Sequence, residues 1–130
     1  AAEEQKQTAE VTKSSYESLM TVVAHYSTGD MSNSALAEEL LKINAGTLGT
    51  SGKEEYDSLT EKIYPKVCES LYATSQKNYQ VANYDTAVTN LEQVVQMDEG
   101  YQDGEAMLLL AQSYENRVSR IRRMRIIRRS

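Results

Sequence analysis

His25 and Cys68 carry the strongest intrinsic chemistry in this chain, and each is the only residue of its type. An imidazole suits general acid–base work when a partner orients it toward a reacting group. His25 stands beside Tyr26 in a helical pattern, with no second His, no Cys and no Ser–Asp pair close in sequence. A structural or surface role is the expectation. A thiol nucleophile needs a base and a depressed pKa. Cys68 falls instead on the apolar face of a helical stretch, where a thiol packs as a small hydrophobe. Asp98, Glu99, Asp103 and Glu105 gather carboxylates of the kind that hold hard cations. The alternating D-x-[DN]-x-[DN]-G spacing is missing, so they read as a solvated acidic turn. No glycine-rich phosphate loop, catalytic carboxylate pair or zinc ligand set is present. The expectation is a protein that is not an enzyme and takes no cofactor and no metal.

A lone cysteine excludes an internal disulfide framework. The length of 130 residues suits one domain with a real core. Apolar residues make up 40%, with nine Tyr and neither Phe nor Trp, and the periodicity is helical nearly throughout. Six Gly and one Pro argue against a turn-rich all-β fold. No apolar run reaches the roughly 18 residues of a membrane span. The chain opens without Met, which reads as a segment of something longer. Charge is divided along it. Residues 1–116 hold all seven Lys against 19 Asp and Glu, a balance of −12, and the seven Arg between Arg117 and Arg129 bring the net charge to −5. An acidic body favours basic partners.

The elements that position these residues follow from spacing. Residues 1–28 read as one long helix, polar at first (AAEEQKQTAE), with Val11, Tyr16, Leu19, Met20, Val23 and Tyr26 as a partial stripe. Thr28-Gly29-Asp30 ends it. Ser32 to Ile43 is a second helix with Leu36, Leu40, Leu41 and Ile43 inward, and residues 1–52 make an N-terminal helical hairpin. Asn44 to Gly52 reads as a loop and candidate hinge, with Leu48 as an apolar plug. Lys53 to Tyr64 is helical, and Pro65 either kinks a long helix or starts a new one. Lys66 to Val81 and Tyr84 to Met97 follow, and a further helix starts at Glu105.

The organising stretch is Leu71 to Leu91, LYATSQKNYQVANYDTAVTNL, two amphipathic helices around the turn Ala82-Asn83-Tyr84-Asp85. Ser75 and Ala87 are small, which lets the two backbones approach. The arrangement of Leu71, Ser75, Tyr79, Tyr84, Ala87 and Leu91 resembles a tetratricopeptide (TPR) unit. A second unit begins at Glu105, where Met107, Leu110, Ala111 and Tyr114 stand in the places of Leu71, Thr74, Ser75 and Asn78, an offset of 36 residues. YSTGD followed by LAEELLKIN is a degenerate echo of the same pattern. Together with YDSL…IYPKV and NYDTAV…DEGYQDGEAMLLLAQSYE, these motifs look like membrane-anchored TPR proteins of Gram-positive, clostridia-like bacteria.

The resemblance covers most clearly residues 68–114, within a TPR-like region over 53–116. It implies an all-α fold of antiparallel helix pairs stacked as a short solenoid of about six helices. It implies repeat packing by Leu71, Ser75, Tyr84, Ala87, Leu91, Met107, Leu110 and Ala111. It also implies a scaffold for a protein or peptide partner, extracytoplasmic through its parent's anchor, with a cytoplasmic setting as the alternative. Asn78, Tyr79, Asn90, Gln112 and Tyr114 are the groove candidates, because carboxamides hydrogen-bond peptide backbone and Tyr offers contact area at small entropy cost. Tyr72, Tyr79, Tyr84, Tyr101 and Tyr114 otherwise read as inter-helix packing. Specific nucleic-acid recognition is not expected.

The tail leaves two further functions open. Arg residues interleaved with Ile121, Met124, Ile126 and Ile127 could form a basic amphipathic helix that binds polyanions or a membrane surface. Self-assembly through residues 105–130 is the other, because Met107-Leu108-Leu109-Leu110 lacks a recognisable partner helix and needs the tail or a second chain as cover. ENRVSRIRRMRIIRRS itself reads as a frame-shifted, non-native continuation of the second repeat. Read from the third base of each codon, the Arg117/Val118 junction can give Gly, Arg122/Arg123 can give Ala and Ile126/Ile127 can give Tyr. The spacing then matches Ala82, Ala87 and Leu91. Sequencing the encoding DNA is expected to show those codons. A stop or other residues at these junctions in that frame would make the basic tail genuine.

Overall fold

The computed structural model describes residues 2–129, with side chains described for residue 2 and residues 9–126. Ile127 and most of AAEEQKQTAE therefore lie outside the described side chains. Among the described residues five α-helices follow one another: α1 (Ala2–Thr28), α2 (Asn33–Leu41), α3 (Gly49–Gln80), α4 (Tyr84–Met97) and α5 (Glu105–Arg129). Two 3-10 turns, Ala45–Thr47 and Tyr101–Gly104, join them, and there is no strand among the described residues. The chain forms two compact units, Ala1–Val67 and Cys68–Ser130, so the division falls inside α3.

In the first unit, Gly29 ends α1 with a positive φ of 71° and its N–H bonds the His25 carbonyl. Ser32 then caps α2 by accepting from the Ala35 N–H at 3.2 Å. Leu19, Val22, Leu36, Ala37, Leu40, Ile43, Leu48, Leu59, Ile63 and Val67 are buried. Leu48 is thus seated as the plug its loop position suggested. The α1 stripe is narrower than its spacing implied. Leu19 and Val22 turn inward, whereas Val11, Tyr16, Met20 and Tyr26 are exposed. Positions one apart on a helix point about 100° apart, so the side that buries Leu19 and Val22 cannot also bury Met20.

Two differences concern α3. Residues 49–52 are already helical, so the connection after α2 is shorter than the expected loop. Gly52 suits that start because a Cβ there would lie 2.9 Å from the Cβ of Leu48. The helix also runs through Pro65 without ending, which gives five helices rather than about six. Proline has no N–H and removes one rung of the ladder, and the apolar series Leu59, Ile63, Val67 continues the same buried side across it.

The second unit is built around α4. Its Ala87, Val88, Leu91 and Val94 are fully buried and share a core with Cys68, Ala106 and Leu110. Leu71, Tyr72, Val95, Met97, Tyr101 and Leu109 pack against that core. Ser75 and Ser113 are completely buried. Each hydroxyl donates to the carbonyl four residues back, Leu71 and Leu109 respectively, at 2.7 Å. Between α3 and α4 the chain turns through Ala82, whose φ is +62°. The Asn83 N–H bonds the Asn78 carbonyl at 2.8 Å and the Ala82 N–H bonds the Tyr79 carbonyl at 3.1 Å. This is a Schellman closure with alanine where glycine is usual.

Helix α5 continues unbroken through the Arg-rich residues to Arg129. A continuous helix advances about 1.5 Å per residue and cannot fold back over its own first turns. The tail therefore does not cover Met107 and Leu108, which are exposed. Leu109 and Leu110 need no such cover, because they face the core with α4.

Left-handed backbone costs an alanine about 1–2 kcal/mol relative to glycine. Ala82→Gly is accordingly expected to stabilise the protein by about 1 kcal/mol, less the unfolded-state entropy of the added glycine. Urea unfolding followed by circular dichroism checks this, and an unchanged or lower midpoint would contradict it.

Candidate functional site

His25 is held by its own helix end. Its Nδ1 donates to Asp30, 2.9 Å from Oδ1 and 3.1 Å from Oδ2, and Thr28 Oγ1 donates to the same Oδ1 at 2.9 Å. The hydrogen bond from His25, followed by that from Thr28, holds the Asp30 carboxyl below the ordinary aspartate range. The imidazole thus has an acidic partner five residues on, which sequence proximity alone did not reveal. The signal available was the closing turn itself: Gly29 reverses the chain and returns Asp30 to the helix end. His25 also lines an open depression with Ser18, Thr21, Val22, Met31 and Glu39.

Cys68 is buried beside α4, with Sγ 3.9 Å from the Val94 carbonyl. Burial, with the Asp98 charge as a lesser cause, pushes its thiol up to about 11, opposite to what a nucleophile needs. The acidic connection is used locally: the Gly100 N–H donates to Asp98 Oδ1 at 3.2 Å, and the Tyr101 N–H to the Asp98 carbonyl at the same distance. Among the described residues no three His, Cys, Asp or Glu side chains converge as metal ligands.

The groove candidates do not share one surface. Tyr79 lies where α3 meets α5: Asn116 Nδ2 donates to the Tyr79 hydroxyl at 3.0 Å and, within its own helix, to the main-chain carbonyl of Gln112 at 2.8 Å. Asn78, next along α3, is half-buried, and its Nδ2 is buried with no hydrogen-bond partner. Asn90 is half-buried on α4. Tyr114 is elsewhere. Two residues on from Gln112, it points about 160° away around α5. Burial raises the Tyr114 phenol above its ordinary value, as does its hydrogen bond to Glu92 of α4, and the Arg117 guanidinium sits 5.5 Å from its ring centre. The structure joins Tyr79 to Asn116 of α5, leaves the Gln112 side chain exposed, and sets Tyr114 on another side of that helix.

Most tyrosines in this unit serve packing. Tyr72 meets Tyr101 edge-on at 5.6 Å and Tyr79 meets Tyr84 at 5.5 Å. Of the repeat-packing residues, Ser75, Ala87, Leu91 and Leu110 are buried, and Leu71 and Tyr84 are half-buried. Met107 and Ala111 are exposed, because α5 turns Ala106, Leu110 and Ser113 toward the core instead. Arg117 approaches Asp85 at 3.7 Å, and Arg120 Nη1 donates to the Ala82 carbonyl at 2.9 Å. With Tyr84, Ile121 and Met124 these side chains line a cleft at the start of α4. Val118, Ile121, Met124 and Ile126 are spread around the helix, so α5 has no segregated apolar face of the kind an interfacial amphipathic helix needs.

No family model matches this chain, and no curated protein or solved structure matches it.

A group whose folded-state pKa is depressed stabilises the fold above its unfolded value, and that contribution is lost as pH falls through the folded value. For Asp30 the window lies in acid, below the ordinary aspartate midpoint. Carboxyl-carbon NMR is expected to show Asp30 titrating below that midpoint, and His25→Ala should raise it toward the ordinary value. An unmoved midpoint in the variant would show that the His25 contact does not act on Asp30.

Proposed function

We propose that this chain is a non-catalytic helical-repeat scaffold that binds a basic peptide segment where α3 and α5 meet. One observation carries the reading: Asn78 keeps a buried amide nitrogen without a hydrogen-bond partner, next along α3 to Tyr79, whose hydroxyl accepts from Asn116 of α5. A buried donor of this kind costs about 1–3 kcal/mol when unpaired. A peptide carbonyl would satisfy it once the Asn78 side chain turns outward, since the nitrogen itself is enclosed. The balance of −12 over residues 1–116 favours a basic segment. His25 bonded to Asp30 and Cys68 raised to about 11 fit a scaffold better than an enzyme.

The TPR resemblance of residues 68–114 supports the same reading, since α3, α4 and α5 are joined by short connections and share one core. The particular solenoid stacking, and a setting in the bacterial cell envelope through an anchored parent protein, belong to this proposal. The competing polyanion reading rests on Arg122, Arg123 and Arg125, which are exposed at the end of α5.

Fluorescence anisotropy against a library of Lys-rich and Arg-rich peptides is expected to give saturable binding. Asn78→Leu should weaken it at least tenfold while leaving the melting temperature equal or higher. Changing Arg122, Arg123 and Arg125 to Gln should leave it intact. Absence of any saturable peptide refutes the scaffold reading. Binding of anionic polymers that is lost in the Arg variant favours the polyanion reading instead.

A further inference from the structure

The turn between α3 and α4 presents three hydrogen-bond acceptors at intervals of three residues: the Tyr79 hydroxyl, the Ala82 carbonyl and the Asp85 carboxylate. Each is met by a donor from one short stretch of α5. Asn116 Nδ2 reaches the Tyr79 hydroxyl, Arg120 Nη1 reaches the Ala82 carbonyl at 2.9 Å, and Arg117 Nη1 lies 3.7 Å from Asp85 Oδ1. Asn116 and Arg120 are four residues apart, so they project from the same side of α5. The Schellman closure uses the Asn78 and Tyr79 carbonyls and leaves the Ala82 carbonyl to Arg120. Tyr84, whose ring meets Tyr79 edge-on, lines the same cleft as both Arg side chains.

The negative end of α3 and the Asp85 charge together favour a cation here. Guanidinium fits better than ammonium, because its planar fork of donors can serve a carbonyl and a carboxylate at once. The tail's own hold is loose. The Asp85 side chain is 84% exposed and that of Arg117 37%, and an ion pair so open to water contributes little to stability. Tethering is what keeps the acceptors filled, since a group on the same chain competes at an effective concentration of about a millimolar. Asn78, whose carbonyl closes the turn, belongs to the junction proposed above to bind a basic segment, so the two regions adjoin.

We propose that the α3–α4 turn is a guanidinium-binding site that this chain's own Arg117 and Arg120 fill in cis. An arginine-bearing segment arriving at the α3–α5 junction takes the Ala82 carbonyl and the Asp85 carboxylate for its own guanidinium group and displaces these two side chains. The start of the tail is therefore a built-in competitor that lowers affinity for basic segments. This inference rests on the scaffold reading and adds its regulation.

A fluorescein-labelled peptide of residues 117–130, RVSRIRRMRIIRRS, is the probe, and the full chain is the receptor. The double variant Arg117→Gln, Arg120→Gln is expected to bind it about fivefold more tightly than the parent chain. The double variant Arg122→Gln, Arg123→Gln changes the net charge equally and should show no such gain. Asp85→Asn added to the Arg117, Arg120 variant should return affinity to the parent level or below. Without peptide, Arg120→Gln should shift the carbonyl-carbon NMR resonance of Ala82, which reports the cis contact by itself. Equal affinity in the parent and the Arg117, Arg120 variant overturns the inference, as does an equal gain in the charge-matched variant. A gain that survives Asp85→Asn overturns it too, and an unmoved Ala82 resonance removes the cis contact. If Lys-rich or Arg-rich library peptides bind while this probe does not, the guanidinium site falls and the scaffold reading stands. If the probe gives the expected pattern and Asn78→Leu leaves it unchanged, the guanidinium site stands and the role of Asn78 falls.

Discussion

The second unit depends on two buried hydroxyls that ask nothing of their neighbours. Ser75 and Ser113 are fully buried, where an unpaired hydroxyl would be costly. Each returns its hydrogen to its own helix, so neither needs a polar partner on another helix. The small side chains leave room for close backbone approach, and α4 can present an unbroken apolar face of Ala87, Val88, Leu91 and Val94. Larger residues at 75 or 113 would push the helices apart, and the core around Cys68 and Leu110 would lose its closure.

Much of this unit was legible in the sequence because its signals are local. The α4 face follows from helical periodicity, and the turn at Ala82–Asn83 from the break between two amphipathic runs. Small residues at 75 and 87 pointed to close packing, and both are fully buried. Other features were hidden for physical reasons. Proline disfavours helix interiors, so Pro65 left a choice that only the buried series Leu59–Ile63–Val67 resolves. Three glycines in residues 44–52 suggested a longer loop, yet two of them serve the start of α3, Gly49 through its positive φ and Gly52 through its closeness to Leu48.

The groove candidates were only half legible. A repeat pattern names positions along one dimension, whereas a surface depends on angle around the helix. Gln112 and Tyr114 are neighbours in the first sense and nearly opposite in the second. Asn116, whose carboxamide ties Tyr79 to α5, carried no signal beyond being another polar residue near a charged tail. His25 illustrates the same limit, since its partner Asp30 is visible only once the helix is known to end at Gly29.

The imino acid within α3 has a consequence for how the protein opens. Pro65 offers no N–H to the Glu61 carbonyl, so the ladder of α3 lacks a rung two residues before the two compact units divide. Amide protons on either side belong for the most part to different compact units. The stretch from Gly49 can fray while the stretch ending at Gln80 stays protected by the α4 core, and the reverse holds as well. Native-state hydrogen exchange would then resolve α3 into two foldons of different opening free energy, although it is one helix by geometry.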